Sequence, residues 1–399
     1  MSSNPEVEAE GAGAFLNGKS VANGTEQSTY ATPQSASRAP SVTSFKSTSS
    51  HIQADATPAT TASPFGPLKT PLGHALPSCK PLAAAQLTAD QATKYAAVLA
   101  AVSAWKTIPT TSAKYAPSGP ITDLERMWLT RECILRYLRA TKWNTAQCLQ
   151  RLQSTLTWRR EYDVESFTPQ HISPENETGK QVILGFDNDA RPCLYLNPGK
   201  QNTKKSERQI QHLVFMLDRV IDMMGPGQET TALLINFKST SSGSNPSVGQ
   251  GRQVLGILQG HYPERLGRAL ISELPWYVTT FFKLISPFID PVTKEKMKFN
   301  EPLEKHVPSS QLWDQYGGAL NFEYDHATYW PALCEMCAQR RAAYQERWEK
   351  AGKKIGEYEA YLRGGKQPSI EALLAQAQNG TQGVDVGGEK VDIGGLKVQ

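Results

Sequence analysis

Few residues in this chain combine the type and spacing that covalent or metal chemistry needs. Cys334 and Cys337 form a C-x-x-C pair, but zinc takes four ligands, and neither a second pair nor a nearby histidine supplies the rest. A redox dithiol belongs at a helix N-terminus after a strand, and this pair falls well inside a helical stretch. Gly249 and Gly251 stand too far behind the preceding strand for a dinucleotide loop, and Gly256 comes too late. No G-x-S-x-G elbow is present, which argues against a lipase or esterase. The stretch with the most distinctive chemistry is apolar and spans 275–289. Val278, Phe281, Phe282, Ile285 and Ile289 share one helical face, while Trp276, Tyr277 and Leu284 make much of the remaining circumference apolar. Such a helix is either fully buried or meets something apolar on its outer side. Pro275 and Pro287 bracket it, so it can move as a unit. Lys283, Lys294, Lys296 and Lys298 beside it suit a solvated rim or an anionic membrane, where each contributes about 1 kcal/mol.

The surrounding periodicities say what positions this stretch. Helical spacing predicts helices over 88–103, 123–140 and 144–161, the last capped by Asn144. Short strands follow at 181–186 and 193–196 around a turn at 187–191. An amphipathic helix over 206–224 leads to an apolar strand at 231–238, then a helix over 248–260 and a strand at 268–273. Strand alternating with helix is the signature of α/β crossovers. A final helix runs from 327 to 362. No internal repeat is visible.

Of the 399 residues, 39 % are apolar and 20 % charged, with a formal net charge of +4. That charge is too mild to mark a nucleic-acid binder. The six cysteines are sparse, as expected of reduced thiols in the cytosol. Neither a signal peptide nor a membrane span is expected, so the three N-glycosylation triplets at Asn23, Asn176 and Asn379 carry no weight. Residues 1–75 and 364–399 are poor in large apolar side chains and are expected to be disordered tails.

One combination of motifs is specific. Arg136-Tyr137-Leu138-Arg139-Ala140-Thr141-Lys142-Trp143 is followed by Trp158-Arg159-Arg160 and by His261-Tyr262-Pro263-Glu264-Arg265-Leu266-Gly267. Asp290-Pro291-Val292-Thr293 and Tyr316-Gly317-Gly318 come next. In this order and spacing they resemble the CRAL-TRIO lipid-transfer family, whose best-known members are fungal phosphatidylinositol transfer proteins. The resemblance covers 88–362, and 179–185 and 209–222 look like the fungal branch linked to azole tolerance.

The resemblance implies an α/β fold. A small N-terminal helical unit (85–170) precedes a mixed-sheet lipid-binding domain (171–325) with a hydrophobic cavity and a gate helix, and a C-terminal helix (326–363) follows. The 275–288 segment corresponds to the gate, so Trp276, Val278, Phe281, Phe282, Ile285, Phe288 and Ile289 would face the cavity together with Thr231, Leu233 and Ile235 of the central strand. For the headgroup, Lys142 and Lys296 would be the cations on phosphoinositol. Glu264 would accept from inositol hydroxyls and Thr293 would donate to phosphate, with Arg265 and Asp290 nearby. Two departures stand out. Thr141 replaces a further basic residue, and Leu233 stands where members that carry phosphatidylcholine have a hydroxyl. A buried leucine cannot satisfy a phosphate, so choline-lipid binding is expected to be lost; the resemblance to the azole-tolerance branch implies a sterol as second cargo, which a more apolar cavity would suit.

Taken together, the expectation is a phosphatidylinositol transfer protein without bond chemistry or cofactor. It would act as a cytoplasmic monomer touching membranes peripherally, at the endoplasmic reticulum, lipid droplets or cell periphery, and present its lipid to a lipid kinase. A lipid-sensing sterol binder and a membrane-recruited scaffold are the rival readings.

Overall fold

The computed structural model describes residues 66–238, 240 and 248–378, with 385–386 and 389–390. The tail expected before residue 66 lies outside the described residues. Helix α1 (Ala89–Ser103) begins with a capping box between Thr88 and Gln91, which satisfies two otherwise unpaired donors. A small hairpin, β1 (Thr107–Pro109) with β2 (Ser118–Pro120), then leads to α2 (Asp123–Trp128), α3 (Arg131–Ala140) and α4 (Thr145–Glu161). Val98, Val102, Ile134, Leu138, Leu152 and Leu156 form the core of this unit.

The single helix expected over 123–140 is thus two. Leu129 leaves helical geometry, and Thr130 caps α3 by accepting from Cys133 N at 3.0 Å. The freed Leu129 carbonyl accepts from Gly356 N at 2.7 Å. The apolar period runs unbroken through this joint, so periodicity alone hides it. Asn144 does cap α4, accepting from Gln147 N.

After α5 (Pro169–Asn176) come β3 (Gln181–Phe186), β4 (Pro192–Leu196), α6 (Glu207–Asp222), β5 (Thr231–Asn236) and α7 (Val248–His261). Next are β6 (Leu266–Ser272), α8 (Trp276–Ile285), α9 (Pro291–Glu295) and β7 (Met297–Phe299). The sheet order is β3-β4-β5-β6-β7, antiparallel between β3 and β4 and parallel from β4 onward. Crossover helices α6 and α7 make that parallel order possible. One face of the sheet closes over a core of Val182, Tyr195, Phe215, Ala232, Leu234 and Trp313. Gly318 is required near Trp313, because any Cβ there would overlap the Leu312 carbonyl oxygen.

The chain closes with α10 (His326–Lys350), α11 (Glu359–Leu362) and α12 (Ile370–Gln378). The unbroken helix expected to 362 therefore stops at Lys350, where Gly352 (φ +77°) and Lys353 (φ +55°) reverse the chain. Cys334 and Cys337 sit inside α10, and burial raises both thiols, Cys334 to about 11. Two stretches expected to be tail are folded. Ile370 and Leu373 of α12 are buried, and 66–75 packs Leu68, Leu72 and Ala75 on the sheet core. Leu68 exchanges backbone bonds with Asn321 and Glu323 at 2.9 and 3.0 Å, a pairing with no local sequence signal. Among the described residues no helix is long and apolar enough to cross a membrane, and no cluster could hold a metal.

Candidate functional site

Strand β5 lies in the middle of the sheet, yet its two faces differ. Ala232 and Leu234 are fully buried in the core, whereas Leu233 and Ile235 on the other face are only half-buried. One residue past the strand, Phe237 continues that second face and meets the Phe282 ring of α8 edge-on at 6.3 Å. Phe282 also meets Phe299 at 5.9 Å. The half-covered apolar face of β5 thus looks toward α8. Thr231 does not add a free hydroxyl to it, because its Oγ1 donates to Pro192 O at 2.8 Å.

Helix α8 is apolar inside and out. Val278 is 2 % and Ile289 7 % exposed, while Trp276 is 80 % exposed and Leu284 and Phe288 are open as well. The side chains of Phe281 and Ile285 lie outside the described residues. Contacts among the described residues tether the helix and the turn just past it. Gln259 Nε2 donates to Phe288 O at 3.0 Å, the Arg252 guanidinium lies 4.2 Å from the Phe288 ring centre, and the Tyr277 hydroxyl donates to Thr240 O. Trp276 leaves costly apolar area in water, and exposed area of this kind marks a surface built to meet something apolar.

The polar candidates sit where three turns enter the structure. Lys142 and Trp143 follow α3 in left-handed geometry, φ +50° and +61°, with the Thr141 hydroxyl donating back to Tyr137 O at 2.9 Å. The helices flanking this turn are tied to the last turn of α7 and so to the loop after it: Tyr137 of α3 donates to His261 O at 3.1 Å, and Arg151 of α4 to Gln259 O at 2.6 Å. In that loop Glu264 has φ +61° and lies half-exposed, 3.7 Å from Arg139 Nε. In the third turn, Asp290 caps α9 by accepting from Thr293 N at 2.8 Å. Burial would raise the Asp290 carboxyl, but the Thr293 bonds and the Lys296 charge hold it below its ordinary value. Lys296 enters β7, its carbonyl accepting from Ala269 N of β6 at 2.9 Å.

The structure therefore joins Asp290, Thr293 and Lys296 in one turn and pairs Glu264 with Arg139. Lys142 is exposed and makes no ion pair among the described residues. Arg265 turns inward. It is 3.8 Å from Glu359 and donates to Glu229 O at 2.9 Å, so its role is to hold the loop that carries Glu264. Motif reading missed Arg139 and the buried Arg136, which binds Glu229 at 2.8 Å and Glu359 at 2.7 Å. An arginine inside the apolar stripe of α3 was the available signal. Its partner Glu359 lies 223 residues away, beyond any local pattern.

Two family models match this chain. The model of the CRAL/TRIO domain matches residues 176–318, and that of the CRAL/TRIO N-terminal domain matches 94–154. A CRAL-TRIO domain-containing protein of Schizosaccharomyces pombe is 57 % identical over 70 % of this chain, which spans 28 % of that protein's length. The phosphatidylinositol transfer protein PDR17 of Saccharomyces cerevisiae is 42 % identical over 61 % of this chain and 73 % of its own length. The crystal structure of Sfh5 aligns with 65 % of this chain and all of that one, with a TM-score of 0.42 and 15 % identity.

Proposed function

Because the chain belongs to the CRAL-TRIO family, we propose that it is a phosphatidylinositol transfer protein that extracts, encloses and delivers one phospholipid. The observation that carries this reading is α8, apolar on both sides and set over the half-covered face of β5. A diacyl lipid holds roughly 30 methylenes at about 0.8 kcal/mol each, so leaving a bilayer costs on the order of 25 kcal/mol unless protein replaces it. A helix with an apolar inner face can seal such a lipid, and the exposed Trp276 and Leu284 can enter the bilayer while the helix is open. In this reading Val278, Phe281, Phe282, Ile285, Phe288 and Ile289 serve the gate.

The headgroup would be held by Lys142, Glu264, Asp290, Thr293 and Lys296, with Arg265 positioning the Glu264 loop. A phosphodiester takes cationic donors, and inositol hydroxyls take carboxylate acceptors. Leu233 offers no hydroxyl, and that of Thr231 is already bonded to Pro192. The cavity is therefore read as unsuited to phosphatidylcholine and suited to a sterol as second cargo. Contact with membranes is peripheral, and presentation to a lipid kinase follows from a headgroup held near the surface.

Vesicle-to-vesicle transfer of labelled phosphatidylinositol tests the gate: Phe282→Asp should abolish it, and unimpaired transfer by the folded variant would overturn the proposal. Native mass spectrometry tests the headgroup site: a Glu264→Ala/Lys296→Ala protein should lose phosphatidylinositol. Abundant phosphatidylcholine in the purified protein would refute the reading of Leu233.

A further inference from the structure

A cleft of about 400 Å³ lies between α2 and α3 on one side and α6, α10 and α11 on the other. Its lining holds eight arginines against four carboxylates. At the inner wall Arg136, Arg265 and Arg363 converge on Glu359, at 2.7, 3.8 and 3.6 Å, and among the described residues only Arg136 of the three pairs with a further carboxylate, Glu229. Arg340 and Arg363 donate instead to the carbonyls of Ile221, Met223 and Met224, at and just past the end of α6.

These partners do not exhaust the donors. Among the described residues the Nε atoms of Arg341 and Arg363 are buried without a hydrogen-bond partner, as is Glu359 Oε2, and the Arg363 side chain is only 9 % exposed. Buried donors left unpaired are rare in folded proteins. Burial, with the Arg136 charge beside it, pushes the Arg265 guanidinium down to about 10, as surplus positive charge should. An ion network serving stability alone would pair its charges. This one keeps an excess of cations around an open space that Trp128, Tyr344 and Leu362 also line.

We propose that this cleft binds a phosphate-bearing small molecule, at a site separate from that of the transferred lipid. Planar guanidinium forks match phosphate oxygens two at a time. A cleft of this volume is of ordinary size for a small-molecule site, and the aromatic lining suits a ring carrying the phosphates. None of Lys142, Asp290, Thr293 or Lys296 lines it, although Arg265, which positions the Glu264 loop, does, so the test replaces arginines away from that loop.

The test is a thermal-shift titration of the full chain with two probes: soluble inositol hexakisphosphate, and phosphatidylcholine vesicles containing a phosphorylated phosphatidylinositol. Arg341 is 41 % exposed and its partner Asp222, at 2.9 Å, keeps Arg219 at the same distance, while among the described residues Arg347 reaches the Ala343 and Leu362 carbonyls, at 3.3 and 3.2 Å. Both can therefore be replaced with little effect on folding. The Arg341→Ala/Arg347→Ala variant should bind at least about tenfold more weakly, while Lys142→Ala/Lys296→Ala should bind the soluble probe as wild type does. An arginine-dependent shift with the soluble probe identifies a free phosphate compound, and one seen only with vesicles identifies a lipid headgroup; either upholds the site. No shift with either probe, or a shift that survives the double arginine variant, overturns it. Should that variant fail to fold, hydrogen exchange on the wild type decides. Probe-induced protection must fall at 340–347 and 359–363 and not at 290–296.

Discussion

The face of β5 under α8 and the arginine cleft behind α3 each hold groups that a protein interior covers at a cost, and they hold opposite kinds. On the first, Leu233 and Ile235 stay half-covered and Trp276 faces water. In the second, guanidinium groups are buried around too few carboxylates. Exposed apolar area forfeits stabilisation without straining its neighbours, so it is nearly free to change. A buried charge is tied to every partner it has, so its removal strands the others. The gate region should therefore tolerate substitution and lose function, whereas the cleft should lose stability first at its inner wall.

The largest expected effect lies at that wall. Arg136→Ala leaves Glu359 and Glu229 without their closest partner and should destabilise the fold by about 3–5 kcal/mol, read as a lower urea midpoint. A loss below about 1 kcal/mol would mean the network is not structural. The two faces of β5 come next. Leu234→Ala, in the fully buried face, should cost about 2–5 kcal/mol, and Leu233→Ala below about 2 kcal/mol; equal losses would erase the asymmetry on which the cavity reading rests.

A smaller effect concerns pH. Burial and the Glu359 charge push the Glu132 carboxyl up to about 7. Burial would raise Glu359 too, but Arg136, Arg265 and Arg363 outweigh it and hold that carboxyl well below the carboxylate range. Glu132 therefore takes up a proton on folding. Its contribution is complete below its ordinary value of 4.5 and declines as pH rises to about 7. Glu132→Gln should flatten the stability profile across that window, and an unchanged slope would contradict the assignment. Smallest of all, Trp276→Ala should alter stability by no more than about 0.5 kcal/mol while weakening vesicle binding in a sedimentation assay. A large stability loss would place Trp276 in the core instead.

Much of this was legible in the residues. The strand and helix alternation from Gln181 to Ser272 follows directly from periodicity, and Asn144 announces α4 by its own capping chemistry. Thr130 carried a capping signal too, but an unbroken apolar stripe masked the joint between α2 and α3. The anchoring of 66–75 and of α12 was not legible, because a few apolar residues among Pro and Gly gain their stabilisation from distant partners. Similarly, Arg265 belongs to the same short motif as Glu264, and only the fold turns one inward and leaves the other half-exposed.

Local chemistry settled the order of elements, the apolar character of 275–289 and the family motifs, since periodicity and capping act over a few residues. Which face of β5 remains half-covered, which charges meet and where cations accumulate were decided by tertiary structure. Burial and ion pairing depend on groups such as Arg136 and Glu359, 223 residues apart, and no local pattern encodes a contact that only the closed fold creates.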